Sequence, residues 1–348
     1  MPTGDVEADA TLDQIAAFVE RERGLEFVQP VKVDLLDDDP FEARLLEDDP
    51  EVAADLALTG RLLQALGLVP PGTDLAAAVD QLLGVGVLGF YDPETKELVV
   101  RGGELTPYTR QTVAHELTHA LDDQHFDLDR PELDDASDES SFGFTAVVEG
   151  SATRVEDAYE SSLSSADRAR LRDEERSFGA DVDLTGIPFV LLAQLQAPYE
   201  FGPILVDEIV DEQGEEGLTA ALTRPPTTSE QVLHPDAYLN GEGAVPVAPP
   251  PAEGEVIDQG TFGELMLGIV VTNGSGLGDP ELVDGWGGDQ YVAWARPDGS
   301  TCIRVDVAAD TPGDRGDLES ALRDAARFVP SMVVESPTPE LVRLTSCG

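Results

Sequence analysis

Thr112-Val113-Ala114-His115-Glu116-Leu117-Thr118-His119-Ala120-Leu121 decides how this chain is read. The stretch contains H-E-x-x-H. Residues four apart on an α-helix lie on one face, one turn above the other. His115 and His119 therefore aim two imidazoles at one point. Glu116, one step round the helix, can reach a water at that point without itself binding a metal. This is the arrangement in which two histidines hold Zn²⁺ and the glutamate acts as general base. Five letters with two wildcards also arise by chance in helices that hold no metal. Here the flanks are uncharged, and Val113, Leu117 and Leu121 form an apolar side. Only four histidines occur in the chain, and two of them have this spacing.

A catalytic zinc takes three protein ligands and keeps an open position. No third histidine follows at H-E-x-x-H-x-x-G-x-x-H spacing, because His125 comes too soon. The candidate is Glu149, the one acid in the uncharged run from Phe142 to Thr153. A buried unpaired carboxylate is costly, so an acid there should face something specific. The plainer alternative is a solvent-facing acid on an amphipathic helix.

His115 to Leu121 (H-E-L-T-H-A-L), then Asp123-Gln124-His125-Phe126, then V-E-G-x-A at Val148 to Ala152 resemble the gluzincins, the glutamate-type zinc peptidases. The closer resemblance is to a little-characterised group of metallopeptidases of haloarchaea and some bacteria. Gly89-Phe90-Tyr91-Asp92-Pro93, Thr228-Ser229-Glu230-Gln231-Val232-Leu233-His234-Pro235 and Gly285-Trp286-Gly287-Gly288-Asp289 are similar to stretches of that group. The likeness covers most of the chain from about Arg23 onward. It implies a zincin-like fold, one catalytic zinc and peptide hydrolysis. It also implies that an edge strand before the metal helix, here carrying Tyr91, pairs with the substrate backbone. An ordinary structural hairpin is the alternative. There is one departure: many gluzincins place Asp four residues after the ligand Glu, where this chain has Thr153. Another group must then orient His115.

The chain has 70 acidic and 21 basic residues, a formal net charge of −49, and only two lysines, Lys32 and Lys96. The acids are spread along amphipathic segments and form no disordered tail. Such a surface fits molar salt, where screening makes self-repulsion inexpensive. A basic partner is the rival explanation. Binding to nucleic-acid phosphate is disfavoured in either case. No apolar run has the length of a membrane span; Ile187 to Pro198 is the most apolar stretch. Cys302 and Cys347 lie in separate β-rich stretches and can pair across neighbouring strands. Pairing would indicate an oxidising compartment, so export with a removed signal is expected, against a cytoplasmic protein with two free thiols. The sequon Asn273-Gly274-Ser275 is too common to decide this.

Periodicity and punctuation predict helices over 12–23, 40–46, 50–66 and 74–83, a strand over 31–36, and a hairpin from 85–91 and 96–101. The metal helix is expected over about 107–125 and the glutamate helix over 140–164, with an acidic loop at 130–139 between them. Helices over 166–177, 188–210 and 215–222 follow, and Thr228 or Ser229 caps a short helix carrying Gln231. Val245 to Glu255 reads as a proline-rich linker. Beyond it come a helix over 262–271, strands over 289–295 and 302–307, a helix over 318–328 and a strand over 341–346. Gly285 to Asp289 reads as a tight turn with a packed Trp.

The expectation is therefore an α+β chain. A zincin-like domain spans 1–244, a linker 245–255, and a smaller α/β region 256–348. His115, His119 and Glu149 hold Zn²⁺, and Glu116 is the general base. His234 is the candidate oxyanion donor or ligand-orienting group, in competition with Tyr199, Tyr238 and Tyr91. The substrate is a peptide or protein. Two alternatives stand beside this: an inactive zincin scaffold that binds a partner, and a metal hydrolase acting on a non-peptide substrate.

Overall fold

A computed structural model describes residues 6–46, 50–272 and 282–348, so the sequon falls outside the described residues. The chain opens with α1 (Val6–Arg23), β1 (Val33–Leu36), α2 (Asp38–Leu45), α3 (Pro50–Ala65) and α4 (Leu75–Gly86). The hairpin β2 (Gly89–Asp92) and β3 (Glu97–Arg101) precedes α5 (Pro107–Phe126). Then come α6 (Pro131–Ala136), α7 (Asp138–Ser162), α8 (Ser165–Asp181), α9 (Phe189–Gln213), α10 (Glu215–Thr223), α11 (Ser229–Leu233) and α12 (Pro235–Asn240). The last part holds β4 (Glu255–Gly260), α13 (Gly263–Val271), β5 (Trp286–Ala295), β6 (Thr301–Ala309), α14 (Pro312–Ala325), β7 (Val333–Glu335) and β8 (Leu341–Cys347). The class is α+β, as expected.

Two sheets organise these elements. The first has the order β1-β3-β2, with β1 parallel and β2 antiparallel to β3. Strand β2 is thus an edge. The second has the order β4-β5-β6-β8-β7 and is antiparallel throughout. Cys302 and Cys347 face each other in the β6–β8 register and are joined by a disulfide.

Helix α5 starts where the sequence says. Thr106 accepts a hydrogen bond from the Thr109 amide, and Pro107 takes the first helical position, where its missing N–H costs nothing. From Val113 to Asp123 every residue is buried. Its far end is tied down by acids. Asp122 pairs with the buried Arg23 at 2.7 Å and accepts the Ser151 hydroxyl of α7 at 2.6 Å. Gln124 closes three hydrogen bonds with the backbone of Val28 and Gln29.

Helices α7 and α9 cross closely because both present glycine. A Cβ on Gly150 would overlap the Gly202 carbonyl, and one on Gly202 would overlap that of Ala146. The crossing sits one residue past Glu149 and three past Tyr199, so it sets the distance between those side chains.

Several expectations are corrected. The stretch 130–139 contains α6, which Pro131 opens from its first position. Val85 and Gly86 close α4 and do not begin the hairpin. Residues 286–289 form the start of β5, with a register shift after the fully buried Trp286. The elements β4, β7 and α12 went unforeseen. The proline-rich stretch is no free tether: the Val245 amide donates to Gly287 O at 2.6 Å and Arg304 donates to Pro251 O. Ala65 and Leu66, from the end of α3, share one core with Trp286, Ile303 and Leu344, so packing crosses the 244/256 boundary. Each fully buried aliphatic side chain there contributes ~1.5–3 kcal/mol. Helix α9 alone, among the described residues, is long and apolar enough to cross a membrane, which the run from Ile187 to Pro198 had not indicated. Val190, Ala197, Leu205 and Ile209 of that helix are buried in two cores, so here it serves as an interior helix.

Candidate metal centre

Helix α5 carries His115 and His119 on one face, and α7 brings Glu149 opposite them. Glu149 Oε2 lies 3.1 Å from His115 Nε2 and 3.5 Å from His119 Nε2. The imidazole rings meet edge-on, with centroids 4.7 Å apart. Three atoms bound to one zinc at ~2.1 Å in tetrahedral geometry lie ~3.4 Å from one another. The nitrogen–oxygen spacings observed bracket that value. Two neutral imidazole nitrogens and one carboxylate oxygen form a donor set suited to zinc.

The group that steadies His115 is Glu156. Its Oε2 lies 2.8 Å from His115 Nδ1. A His that binds a metal through Nε2 carries its proton on Nδ1 and donates it to such a carboxylate. Glu156 lies seven residues after Glu149, two turns along the same face of α7. It answers the question raised by Thr153. The i+7 spacing was readable in the sequence; the identity of its partner was not.

Charge follows from this packing. Burial works against ionisation of Glu149, but His119 and His115 outweigh it and hold the carboxyl well below the usual carboxylate range. Burial likewise disfavours a charged His115, and Glu149 and Glu156 overcome it, raising its pKa well above the ordinary value. Glu116 is pushed up, first by burial and then by Glu149 and Glu156, against the pull of the two imidazoles.

Glu116, His115, His119 and Glu149 line a cavity of about 410 Å³ together with Gly89, Phe90 and Tyr91 of β2. Gly89 permits this approach, since a Cβ there would crowd Thr112 and the Cγ of Glu116. The edge strand therefore runs beside the general-base candidate. Tyr91 lines the cavity, but its hydroxyl donates to Asp123 at 2.6 Å and is committed there. Lys96 reaches the same carboxylate at 2.9 Å.

Tyr199 is the phenol at the site. Its ring, about half exposed, stacks on His115 with centroids 6.4 Å apart, and its hydroxyl lies under the influence of the Glu149 carboxylate. Burial and the nearby Glu149 and Glu116 charges raise its pKa, so it remains a proton donor. Tyr238 is removed from the contest, because its hydroxyl donates to Arg224 O. His234 is a correction. It does not line the cavity; it ends α11, and its Nε2 meets Glu264 Oε1 of α13 at 3.0 Å. Its sequence context could not reveal this, since a turn histidine bonds whatever the fold brings to it.

A second cavity of about 520 Å³ shares Glu149, Tyr199, Leu195 and Thr145 with the first. Its other walls are mixed: Leu62, Leu66, Phe142, Leu265 and Ile269 are apolar, while Asp138, Glu139, Gln194 and Asp258 are polar or acidic. Comparisons with known protein families, with functionally characterised proteins and with solved structures find no match, so the reading of function rests on the chemistry of these side chains.

Proposed function

We propose that this chain is a zinc-dependent metallopeptidase of the glutamate type, zincin-like in its catalytic part. One observation carries the reading: His115 Nε2 and His119 Nε2 converge on Glu149 Oε2 at 3.1 and 3.5 Å, beside Glu116 in one cavity. These three residues would hold the metal, which when bound supplies Lewis acidity towards a water and a carbonyl oxygen.

The protein residues have distinct tasks. Glu116 accepts a proton from the attacking water and returns it to the leaving amine. Glu156 holds the His115 ring in place through Nδ1. The Tyr199 hydroxyl replaces His234 as the candidate donor to the developing oxyanion. Strand β2, an edge next to Glu116, offers main-chain groups to an extended peptide. The apolar part of the adjoining cavity, with Leu62, Leu66, Phe142 and Leu265, supports acceptance of an apolar substrate side chain. The Cys302–Cys347 bridge supports an extracytoplasmic setting.

The test is Glu116→Gln assayed on a peptide panel with esters alongside. Zinc content should stay at the wild-type level while cleavage falls by about 10²–10⁴. Undiminished proteolysis by this variant refutes the mechanism. Ester cleavage without peptide cleavage by the wild type moves the substrate class, and partner capture that survives the substitution favours a binding scaffold.

A further inference from the structure

His234 belongs to a second cluster, apart from the first. His234, Glu264 and the exposed Asp284 each present a ligand atom, and these atoms lie within 4.8 Å of one another. The residues come from three places: the end of α11, the first turn of α13 and the turn before β5.

Glu264 is the informative member. Its side chain is only 1% exposed. One carboxylate oxygen meets His234 Nε2 at 3.0 Å; the other, Oε2, is buried with no hydrogen-bond partner. Helix capping does not explain this acid. The amides of Phe262 and Gly263 donate to Asp289, and that of Leu265 donates to the Ser229 hydroxyl. Three of the N-terminal donors of α13 are thus satisfied without Glu264. A buried carboxylate oxygen lacking a partner needs a cation or a donor to offset its desolvation.

The surroundings make a cation the fitting partner. Glu230 and Asp310 also act electrostatically on this group, and Glu242 acts on both of them. One imidazole is outnumbered by carboxylates, in a chain of net charge −49. Magnesium and calcium prefer all-oxygen shells, whereas an imidazole with carboxylates suits zinc and its first-row neighbours. Three ligands of one such ion lie ~3.4 Å apart, which small side-chain rotations reach from the present spacing.

We propose that His234, Glu264 and Asp284 form a second site for a divalent first-row transition ion, which clamps α11 to α13 and to the turn before β5. The proposal does not depend on the reading of the first site. The experiment uses the full chain, stripped with chelator and then equilibrated with ZnCl₂ or MnCl₂ in molar KCl. Wild type should bind two ions, His119→Ala one, Asp284→Asn one, and the double variant none. In the His119→Ala background, Zn²⁺ should raise the melting temperature, and Asp284→Asn should abolish that rise while lowering affinity at least tenfold. Asp284 is exposed, so its substitution leaves the metal-free melting temperature unchanged; His234→Ala gives a second route to the same loss. No ion bound by His119→Ala, or Zn²⁺ binding by the double variant as tight as in His119→Ala, overturns the proposal, whereas one ion in wild type that Asp284→Asn removes would instead count against the first site. Displacement of the second ion by equimolar Mg²⁺ or Ca²⁺ overturns it as well, since the nitrogen ligand would then be idle.

Discussion

Glu149 and Glu264 are both carboxylates buried against imidazole, and they end with opposite charge preferences. Burial acts on both in the same sense, against ionisation. Glu149 faces two imidazoles, and their pull brings its carboxyl well below the ordinary range. Glu264 faces one imidazole, with Asp284 and Asp310 adding to the effect of burial, and it ends above the ordinary value. The charge state of a buried acid follows the balance of cationic and anionic neighbours around it more than the depth of burial. At the α5–α7 contact two imidazoles stand against Glu116, Glu149 and Glu156. The junction of α11 and α13 carries an excess of acid.

Salt gives the largest test of that contrast. At ~0.1 M the Debye length is ~10 Å, and at 1 M it is ~3 Å. With zinc saturating, the protein should be folded and active in molar KCl and lose its cooperative melt at low salt. Hydrogen exchange at intermediate salt should show the amides of α13 losing protection before those of α5. Equal stability at low and molar salt breaks the halophile reading and makes a basic partner the next thing to seek. Simultaneous loss of protection in the two helices breaks the comparison itself.

Next in size is the effect of pH through Glu139, which lies at the same junction and accepts from the Ser229 amide and hydroxyl. Burial pushes its pKa up from the ordinary 4.5 to about 8. Between those values the folded state holds a proton that the unfolded state has released, so stability falls as pH rises through this window. Glu139→Gln removes this contribution. Its melting temperature should match wild type near pH 4.5 and exceed it at pH 8, by a stability difference on the order of a few kcal/mol. Equal pH slopes in the two proteins would show that the Glu139 carboxyl titrates normally.

The smallest effect sharpens the other side of the comparison. Glu156→Gln should weaken zinc binding at the first site about 10- to 100-fold, the usual cost of losing a carboxylate behind a metal histidine. Zinc titration with a competing chelator measures it. The same variant should leave the metal-free melt nearly unchanged, because Glu156 is partly exposed. Wild-type affinity would mean that His115 is oriented without it.

Local signals in the sequence carried much of the fold. The metal helix is expected to begin at about Pro107, as α5 does, and the spacing of His115 and His119 placed them on one face. Pro50 and Asp74 marked α3 and α4, and of the two caps offered for α11, Thr228 and Ser229, the structure uses Thr228. Each is a signal within one turn of chain. The misses share a cause. Strands β4 and β7 exist because the neighbouring strands of one sheet accept them, and their own residues show no strong alternation. Helix α6 is six residues long and lies in acidic sequence that reads as a loop.

For the site, the sequence alone determined that two imidazoles share a helix face with a carboxylate one step round the helix, because a fixed helical repeat relates them. It also raised Glu149, as a lone acid in an apolar run. Only tertiary structure decided that Glu149 meets those imidazoles, because that depends on how α7 packs against α5, while Gly150 and Gly202, where α7 crosses α9, govern its approach to Tyr199. Tertiary structure likewise chose Glu156 as the partner of His115, Tyr199 over His234 as the nearby donor, and Glu264 as the partner of His234. Those pairings span 41, 34 and 30 residues for His115–Glu156, His115–Glu149 and His234–Glu264. No local repeat relates residues so far apart; only the packing of one helix on another brings them together.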